Sequence, residues 1–216
     1  MALRLLLCGL LLTGCRAAGR NIAPLQNPPP EHWSQRVEDD EFEGLVVFQR
    51  TDHLYHSGQP SPEQFKTLQQ RLGIRTVVNV RRTHSDEKVV ETLGMKYVWI
   101  PIPAWSLKQE HAVEFLKVMR DPSNHPVLVY CWYGGDRSNT LSAIYRVAVQ
   151  GWSKEEAIRE MTEGGNYFHP LWQNLVWTIQ QMDVQRVRRL AGYGAPEPAG
   201  PESSHVSDSR METGPR

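Results

Sequence analysis

The sequence has few cysteines, no excess of either charge and no apolar run long enough to span a bilayer. Its 216 residues include three cysteines, Cys8, Cys15 and Cys131. Lysine plus arginine equal aspartate plus glutamate at 24 each, so no net positive charge favours a nucleic acid partner. The apolar run over residues 5–12 is too short for a stable transmembrane anchor. A hydrophobic content of 40% suits one globular domain with a core of its own.

The N-terminal segment predicts export. Arg4 precedes the apolar run, as is typical of a signal peptide, and the segment ends on the letters LTGC. This ending resembles the lipobox of bacterial lipoproteins, which implies a lipoprotein signal peptide over residues 1–14 and lipidation of Cys15 as the mature N-terminus. The alternative is an ordinary signal peptide that is cut near Ala17 or Ala18.

Lipidation of Cys15 implies a membrane as one partner of the protein. Two or three acyl chains anchor stably where a single chain does not. Arg16 follows the cysteine, and the resemblance to lipoprotein sorting then favours the outer membrane, with the protein on its periplasmic side. Cys8 leaves with the signal peptide, so Cys131 is expected to be the one free thiol. In an oxidising compartment such a thiol is a liability unless it is buried or used in chemistry.

Composition divides the remainder of the chain into three parts. Residues 15–37 include four prolines and show no apolar periodicity, which predicts a flexible tether. Residues 38–192 form the predicted folded domain. Residues 193–216 are rich in glycine, proline and serine, which predicts a disordered tail.

Strand-like and helix-like segments alternate within the domain. Apolar and β-branched runs predict strands over residues 45–48, 54–56, 74–80, 97–102 and 127–131. Helical periodicity with capping residues predicts helices over residues 61–72, 85–93, 106–119 and 138–149. The alternation predicts an α/β fold with a mainly parallel central sheet flanked by helices, in which residues 127–131 form a central strand.

The stretch CWYGGDRS follows that central strand and begins with Cys131. In open α/β sheets, ligands bind beyond the carboxyl ends of strands, where the next helix N-terminus stabilises negative charge and hence a thiolate. Gly134 and Gly135 allow backbone N–H groups to converge on an anion, and Arg137 offers a planar fork to two phosphate oxygens. Ser138 can donate its hydroxyl to the sulfur. The stretch therefore predicts a phosphate-binding loop with a nucleophile at its base.

The same stretch resembles the signature of cysteine-dependent protein tyrosine and dual-specificity phosphatases. The shared pattern is a cysteine, five residues, an arginine and then serine or threonine, with glycine three places after the cysteine. The stretches LYHSGQPSPEQFKTLQQRLGIRTVVNVR, IPIP and YRVAVQGWSKEEAIREMTEGGNYFHP also look like bacterial phosphatases related to periplasmic dual-specificity enzymes, over about residues 45–185. The resemblance implies the dual-specificity phosphatase fold and hydrolysis of a phosphorylated protein or a small phosphomonoester, without a metal or an organic cofactor.

The resemblance also implies a role for each residue of the loop. Cys131 would attack phosphorus and form a phosphocysteine, and Ser138 would help the thiolate to leave when water hydrolyses it. Arg137 would hold the phosphoryl oxygens in the transition state. The backbone N–H groups that would join it belong to Trp132, Tyr133, Gly134, Gly135, Asp136 and Arg137.

The sequence departs from the family pattern at three places. Tyr130 replaces the usual histidine before the cysteine, and Asn139 replaces the usual glycine after Ser138. The loop after IPIP, where the family carries its general acid, reads AWSLKQ and contains no carboxylate. The last departure predicts either weakened activity or a substitute acid among Asp136, Glu110 and His111. For Asp136, the commoner role is to brace the backbone or Arg137. The same departure also leaves open a pseudophosphatase that binds a phosphate ligand without turnover.

Some other residues have both a functional and a packing interpretation. Arg81 and Arg82 are predicted on the rim of the loop, as substrate contacts or as solvated charges. His169 is either at the mouth of the site or a helix-start residue before Pro170. Aromatic and aliphatic residues near the C-terminus are predicted to pack helices onto the sheet, and these are Trp152, Phe168, Trp172, Leu175, Trp177 and Ile179.

Overall fold

The structure is a computed structural model and describes residues 30–37, 42, 44–165 and 167–194. Its strands are β1 (Gln35–Arg36), β2 (Val47–Thr51), β3 (Leu54–Ser57), β4 (Thr76–Asn79), β5 (Lys96–Trp99) and β6 (Val127–Tyr130). Its α-helices are α1 (Pro62–Leu72), α2 (Glu87–Thr92), α3 (Gln109–Arg120), α4 (Arg137–Ala148), α5 (Lys154–Glu163), α6 (Gln173–Gln181) and α7 (Val184–Ala191). The predicted signal peptide, Cys15 and tail residues 195–216 lie outside the described residues. No helix among the described residues is long and apolar enough to cross a membrane.

The strands form one sheet in the order β1-β2-β3-β6-β4-β5. The four strands β3, β6, β4 and β5 are parallel, whereas β1 and β2 add an antiparallel edge. The α/β prediction and the central place of β6 are confirmed. Tyr130 at the end of β6 is in register with Ser57 of β3 and Asn79 of β4. The loops that follow these three strands therefore meet at one edge of the sheet.

The predicted strand over residues 97–102 is shorter in the structure and ends at Trp99. Pro101 and Pro103 follow, and proline has no N–H group with which to continue a ladder. The backbone after β5 therefore leaves the sheet and becomes a loop above its edge.

The pleat of β6 directs successive side chains to two different cores. Leu128 and Tyr130 pack with Phe65 on one face, whereas Val129 and Cys131 pack with α4 on the other. Residues 138–148 of α4 are all buried, so this helix runs through the core with its N-terminus at the end of β6. The burial of such apolar side chains stabilises the fold by about 1.5–3 kcal/mol each.

The predicted flexible tether is wrong over its last eight residues, because residues 30–37 lie against the domain. Strand β1 pairs with β2, and Trp33 is only 5% exposed. Its Nε1–H donates to Glu156 at 2.6 Å, and the Ser34 N–H donates to Glu160 at 2.6 Å. The burial of Trp33 and its hydrogen bond to Glu156 hold this segment against the domain although four prolines precede the tryptophan. At the other end, Tyr193 of the predicted tail donates its hydroxyl to the Leu116 carbonyl at 3.3 Å.

Candidate active site

The loop over residues 131–136 joins β6 to α4, and we call it the cradle loop. Gly134 has φ of +80°, and a Cβ there would lie 2.6 Å from the backbone nitrogen of Gly58. Both the left-handed backbone and the close approach of the β3–α1 turn require glycine at this position. The turn thus fixes the path of the loop, and the Gln59 N–H adds a hydrogen bond to the Trp132 carbonyl at 3.2 Å.

Cys131 lies at the base of the cradle loop and is 1% exposed. Its Sγ accepts hydrogen bonds from the Gly134 N–H at 3.2 Å and from the Ser138 hydroxyl at 3.3 Å. The hydroxyl has one proton, and the Gly134 and Ser57 carbonyls are alternative acceptors for it at 3.2 and 3.4 Å. Two donors therefore lie within hydrogen-bonding distance of the sulfur, beside the N-terminus of α4.

Arg137 begins α4 and extends toward the loop after β5. Its Nη1–H donates to the Ile102 carbonyl at 3.0 Å. Its Nε–H is buried and has no hydrogen-bond partner within the part of the chain that the structure describes. A buried donor without a partner is costly unless a ligand accepts its proton, and a phosphoryl oxygen suits that donor.

The predicted role of Asp136 as a brace for the backbone or Arg137 is confirmed for the backbone. Although it occupies the N-cap position of α4, its side chain makes no capping bond. Its Oδ1 instead accepts the His169 N–H at 3.0 Å. Burial raises the pKa of Asp136, although His169 and Arg137 oppose this shift. His169 also caps the turn at Pro170–Trp172 through the Leu171 N–H, so its predicted helix-start role is confirmed.

A cavity of about 450 Å³ opens beside the cradle loop. The loop supplies one wall, and the segment after α5 supplies the other. The lining residues are Tyr133, Asp136, Tyr167, His169, Leu171 and Trp172. Both interpretations of His169 therefore hold, because the residue that starts the helical turn also lines this cavity.

Two arginines near the cradle loop lie over exposed aromatic rings. The Arg81 guanidinium lies 4.1 Å from the centroid of Trp132, which is 51% exposed, and Arg82 lies 5.4 Å from that of Trp105. The predicted rim position is confirmed for Arg81, which contacts the cradle loop, whereas Arg82 contacts the loop after β5. The predicted packing of Trp177 is wrong, since it is 62% exposed. Leu175 and Ile179 face the core from α6, and Trp177 lies between them on the far side of the helix.

Tyr130, which replaces the usual histidine, lies on the other face of the sheet from Cys131. It donates its hydroxyl to Asp86 at 2.5 Å, and burial together with that carboxylate raises its pKa well above the ordinary value. Asp86 also accepts from the Gln59 amide at 3.2 Å. Because Gln59 holds the Trp132 carbonyl, Tyr130 supports the wall of the cradle loop indirectly. Sequence reasoning assigned no role to Asp86 or Gln59, since their partners are distant along the chain.

Asn139, which replaces the usual glycine, connects the cradle loop to a buried ionic network. Its Nδ2 donates to the Gly135 carbonyl at 3.1 Å and to the Met161 carbonyl at 2.9 Å, and its Oδ1 accepts from Arg50. Arg50 pairs with Glu160 at 2.5 Å, and burial lowers the pKa of Arg50 to about 10 although Glu160 opposes the shift.

The network continues beyond Glu160. Arg146 pairs with the same carboxylate at 2.8 Å. Sequence reasoning missed the network because isolated charged residues are ordinarily interpreted as solvated.

The loop after IPIP is anchored to α6. The Asn174 amide donates to the Ala104 carbonyl at 3.1 Å, and the Thr178 hydroxyl lies 3.4 Å from the Leu107 carbonyl. His111 accepts the Lys108 N–H on its Nδ1 at 3.0 Å, and burial lowers the pKa of its imidazole. Residues 104–108 include no aspartate or glutamate, so this loop supplies no carboxyl group that could serve as the acid.

A buried cysteine and an arginine on a glycine-containing loop between a central strand and a helix are typical of cysteine-dependent phosphatases. The chain belongs to the tyrosine phosphatase family, whose sequence profile matches residues 46–163. It is therefore a phosphoric monoester hydrolase of the tyrosine and dual-specificity type.

Two curated proteins illustrate the similarity in sequence. The dual specificity protein phosphatase TpbA of Pseudomonas aeruginosa (strain UCBPP-PA14) is 26% identical over 207 residues, which cover 95% of this chain and 92% of that protein. The inositol diphosphatase DSP3 of Arabidopsis thaliana is 29% identical over 117 residues, which cover 50% of this chain and 57% of that protein.

A solved structure of a variant of P. aeruginosa TpbA in complex with pTyr has the same fold. It superimposes with a TM-score of 0.65 at 25% identity and covers 76% of this chain and 98% of that one. The predicted phosphatase fold is thereby confirmed.

Proposed function

We propose that this phosphatase acts on aryl phosphomonoesters, with phosphotyrosine of proteins as the leading substrate class, through a phosphocysteine on Cys131. The observation that carries the proposal is the pair of donors on Sγ, the Gly134 N–H at 3.2 Å and the Ser138 hydroxyl at 3.3 Å. Both stabilise a thiolate, which is the nucleophilic form of cysteine. The complex of the related TpbA with pTyr supports the choice of substrate.

The proposed reaction has two displacements at phosphorus. The Cys131 thiolate attacks, the S–P bond forms and the bond from phosphorus to the leaving oxygen breaks. Arg137 and the backbone N–H groups of residues 132–137 hold the other phosphoryl oxygens, and such preorganised donors supply the largest electrostatic contribution in many enzymes. Water then attacks phosphorus, and the electron pair of the S–P bond returns to sulfur while Ser138 donates a hydrogen bond to it.

The test is a burst and steady-state assay of the purified chain with p-nitrophenyl phosphate under reducing conditions, beside Cys131→Ser. Turnover by the native chain and its loss in the variant would support the thiolate mechanism. If neither protein turns over substrate while orthovanadate still binds, the alternative of a phosphate-binding pseudophosphatase replaces the proposal. The two relatives described above are both named as phosphatases, and they give that alternative no support.

We also propose that the chain is a lipoprotein on the periplasmic side of a bacterial membrane, most simply the outer membrane. Cys15 at the end of LTGC and the basic residue Arg16 after it support this proposal. Metabolic labelling with a palmitate analogue, followed by membrane fractionation, tests it. Cys15→Ser should lose both the label and the membrane association, whereas Cys8→Ser should keep both. A native chain that carries no label would contradict the proposal.

A further inference from the structure

We infer that Asp136 is the acid that protonates the leaving group, and that the cavity beside the cradle loop receives an aromatic leaving group. The inference rests on the proposed function, because it assigns the proton donor of the same reaction. Two independent observations lead to it: the side-chain geometry of Asp136 and the lining of the cavity.

The side chain of Asp136 does not make the capping hydrogen bond that its N-cap position would allow. An aspartate at an N-cap ordinarily accepts a bond from the first turn of its own helix, but Asp136 makes no such bond. Its Oδ1 accepts the His169 N–H at 3.0 Å, which turns the carboxyl group away from the helix and toward the cavity. No hydrogen bond to Oδ2 occurs among the described residues, so that oxygen can carry a proton to a ligand.

The surroundings of Asp136 favour its protonated form. Burial is the largest effect and raises its pKa, while His169 and Arg137 act in the opposite direction. Tyr133 and Tyr167 line the same cavity. Asp136 therefore keeps its proton to a higher pH than an exposed aspartate does.

The other carboxyl groups near the site are engaged elsewhere. Asp86 accepts from Tyr130 at 2.5 Å and from Gln59 at 3.2 Å, and it lies 3.3 Å from the His84 imidazole. Glu110 lies in the first turn of α3, is exposed to solvent and is not among the residues that line the cavity.

The cavity walls indicate the chemistry of the leaving group. Tyr133, Tyr167, Leu171 and Trp172 present aromatic and aliphatic surface, and Asp136 supplies the carboxyl group among the lining residues. Such a lining suits a planar aromatic ring with one oxygen directed at the carboxyl group. The phenol of a phosphotyrosine has this shape, whereas the short aliphatic carbon of a phosphoserine would leave most of the cavity unfilled.

The assigned step is balanced in protons and electrons. As the Cys131 thiolate forms the S–P bond, the bond between phosphorus and the aryl oxygen breaks and its electron pair stays on that oxygen. The Oδ2–H proton of Asp136 moves to the same oxygen, so a neutral phenol leaves and Asp136 becomes a carboxylate. In the second displacement the attacking water gives one proton to Asp136, which restores the acid while sulfur regains its electron pair.

The test compares Asp136→Asn with the native full chain on two esters that differ in their need for a proton. Phenyl phosphate has a poor leaving group and p-nitrophenyl phosphate a good one. The asparagine keeps a carbonyl oxygen that can accept the His169 N–H. We expect kcat/KM, which reports the first displacement, to fall by about 10² to 10⁴ for phenyl phosphate and by less than about 10-fold for p-nitrophenyl phosphate. The native pH profile should decline on its basic side, and the variant should lose that decline.

Glu110→Gln is the matched control and should leave both esters and the pH profile unchanged. Equal losses for the two esters in Asp136→Asn, with weakened orthovanadate binding, would show a merely structural role and overturn the inference. A loss selective for phenyl phosphate in Glu110→Gln would overturn it as well, by identifying another acid. Failure of the proposed function is a distinct result, since the native chain itself would then turn over neither ester.

Discussion

At the scale of single residues, the alternation of side chains along β6 places the neighbours Tyr130 and Cys131 on opposite faces of the sheet. Cys131 faces α4, and Tyr130 faces the opposite core against Phe65. Tyr130 stands where the family usually has a histidine. In the structure the tyrosine hydroxyl binds Asp86 and makes no bond to sulfur. The substitution therefore acts on the support of the loop.

Tyr130→Phe tests this separation at the residue scale. The variant keeps the buried ring and removes the hydroxyl that donates to Asp86, so we expect a loss of about 1.5–3 kcal/mol in the free energy of unfolding. The rate constant for formation of the phosphocysteine should stay within about threefold, because no atom is lost near the sulfur. Urea unfolding and single-turnover kinetics measure the two effects, and a large kinetic loss at unchanged stability would contradict the separation.

At the scale of elements, α4 is the part that organises the site. Its first turn holds Arg137 and Ser138, and Asn139 links the Gly135 carbonyl to α5 and to Arg50. The family glycine has no side chain with which to make these bonds. The buried network of Arg50, Glu160 and Arg146 thus helps to fix the backbone of the cradle loop, which is proposed to bind the phosphoryl oxygens.

Asn139→Ala is expected to loosen the cradle loop. The carbonyl of Gly135 loses one donor and Arg50 loses an acceptor, and buried polar groups left without partners cost about 1–3 kcal/mol each. Orthovanadate should bind about 10-fold more weakly or worse, since positioning of the N–H groups sets anion affinity. Isothermal titration with orthovanadate measures this. Thr140→Ser, one residue further along α4, keeps its hydroxyl and serves as the control.

Glu160→Gln tests the ionic network through the pH dependence of stability. Burial alone would raise the pKa of Glu160, but Arg50, Arg146 and the Ser34 N–H outweigh it and lower the pKa below the ordinary 4.5. A carboxylate with a lowered pKa stabilises the fold fully above about pH 4.5 and loses this contribution as pH falls through its folded pKa. The variant leaves two buried cations uncompensated, at a cost of about 3–5 kcal/mol.

Urea unfolding of the native chain and Glu160→Gln, from about pH 3 to about pH 7, measures this effect. The difference in free energy of unfolding should be constant near neutral pH and shrink on the acid side. A difference that is independent of pH would show that the charge of Glu160 does not contribute.

At the scale of the whole molecule, residues 30–37 belong to the folded unit. Trp33 packs under the Arg159 guanidinium at 5.5 Å and donates to Glu156, while Ser34 joins the ionic network through Glu160. The segment that would continue toward a lipid anchor is therefore attached to α5, the helix next to the one that carries the site residues.

A chain that begins at residue 38 should be less stable than one that begins at residue 30. Removal of Trp33 alone is expected to cost about 3–5 kcal/mol, because a buried indole is lost. Thermal and urea unfolding of the two chains measure the difference, with the longer chain as the control. Equal midpoints would show that β1 and Trp33 contribute no stability.

Sequence reasoning succeeded where local patterns determine the structure and failed where distant partners do. The parallel sheet follows from alternating periodicities, and the cradle loop follows from a contiguous motif with two glycines. Asp86 is 44 positions from Tyr130, and Arg50 is 89 positions from Asn139. Arg146 and Ser34 are 14 and 126 positions from Glu160. No local pattern encodes such pairs, and the role of Asp136 also depends on a neighbour 33 positions away.

The burial of Cys131 has a practical consequence for counting active molecules. A chain that begins at residue 30 contains this cysteine and neither of the other two. Its sulfur lies at the base of the cradle loop, for which phosphate binding is proposed, so we expect a negatively charged alkylating reagent such as iodoacetate to reach it by the same route. One equivalent of incorporated label then equals one intact site, and the fraction of protein protected by orthovanadate gives the occupancy of the site without any measurement of turnover.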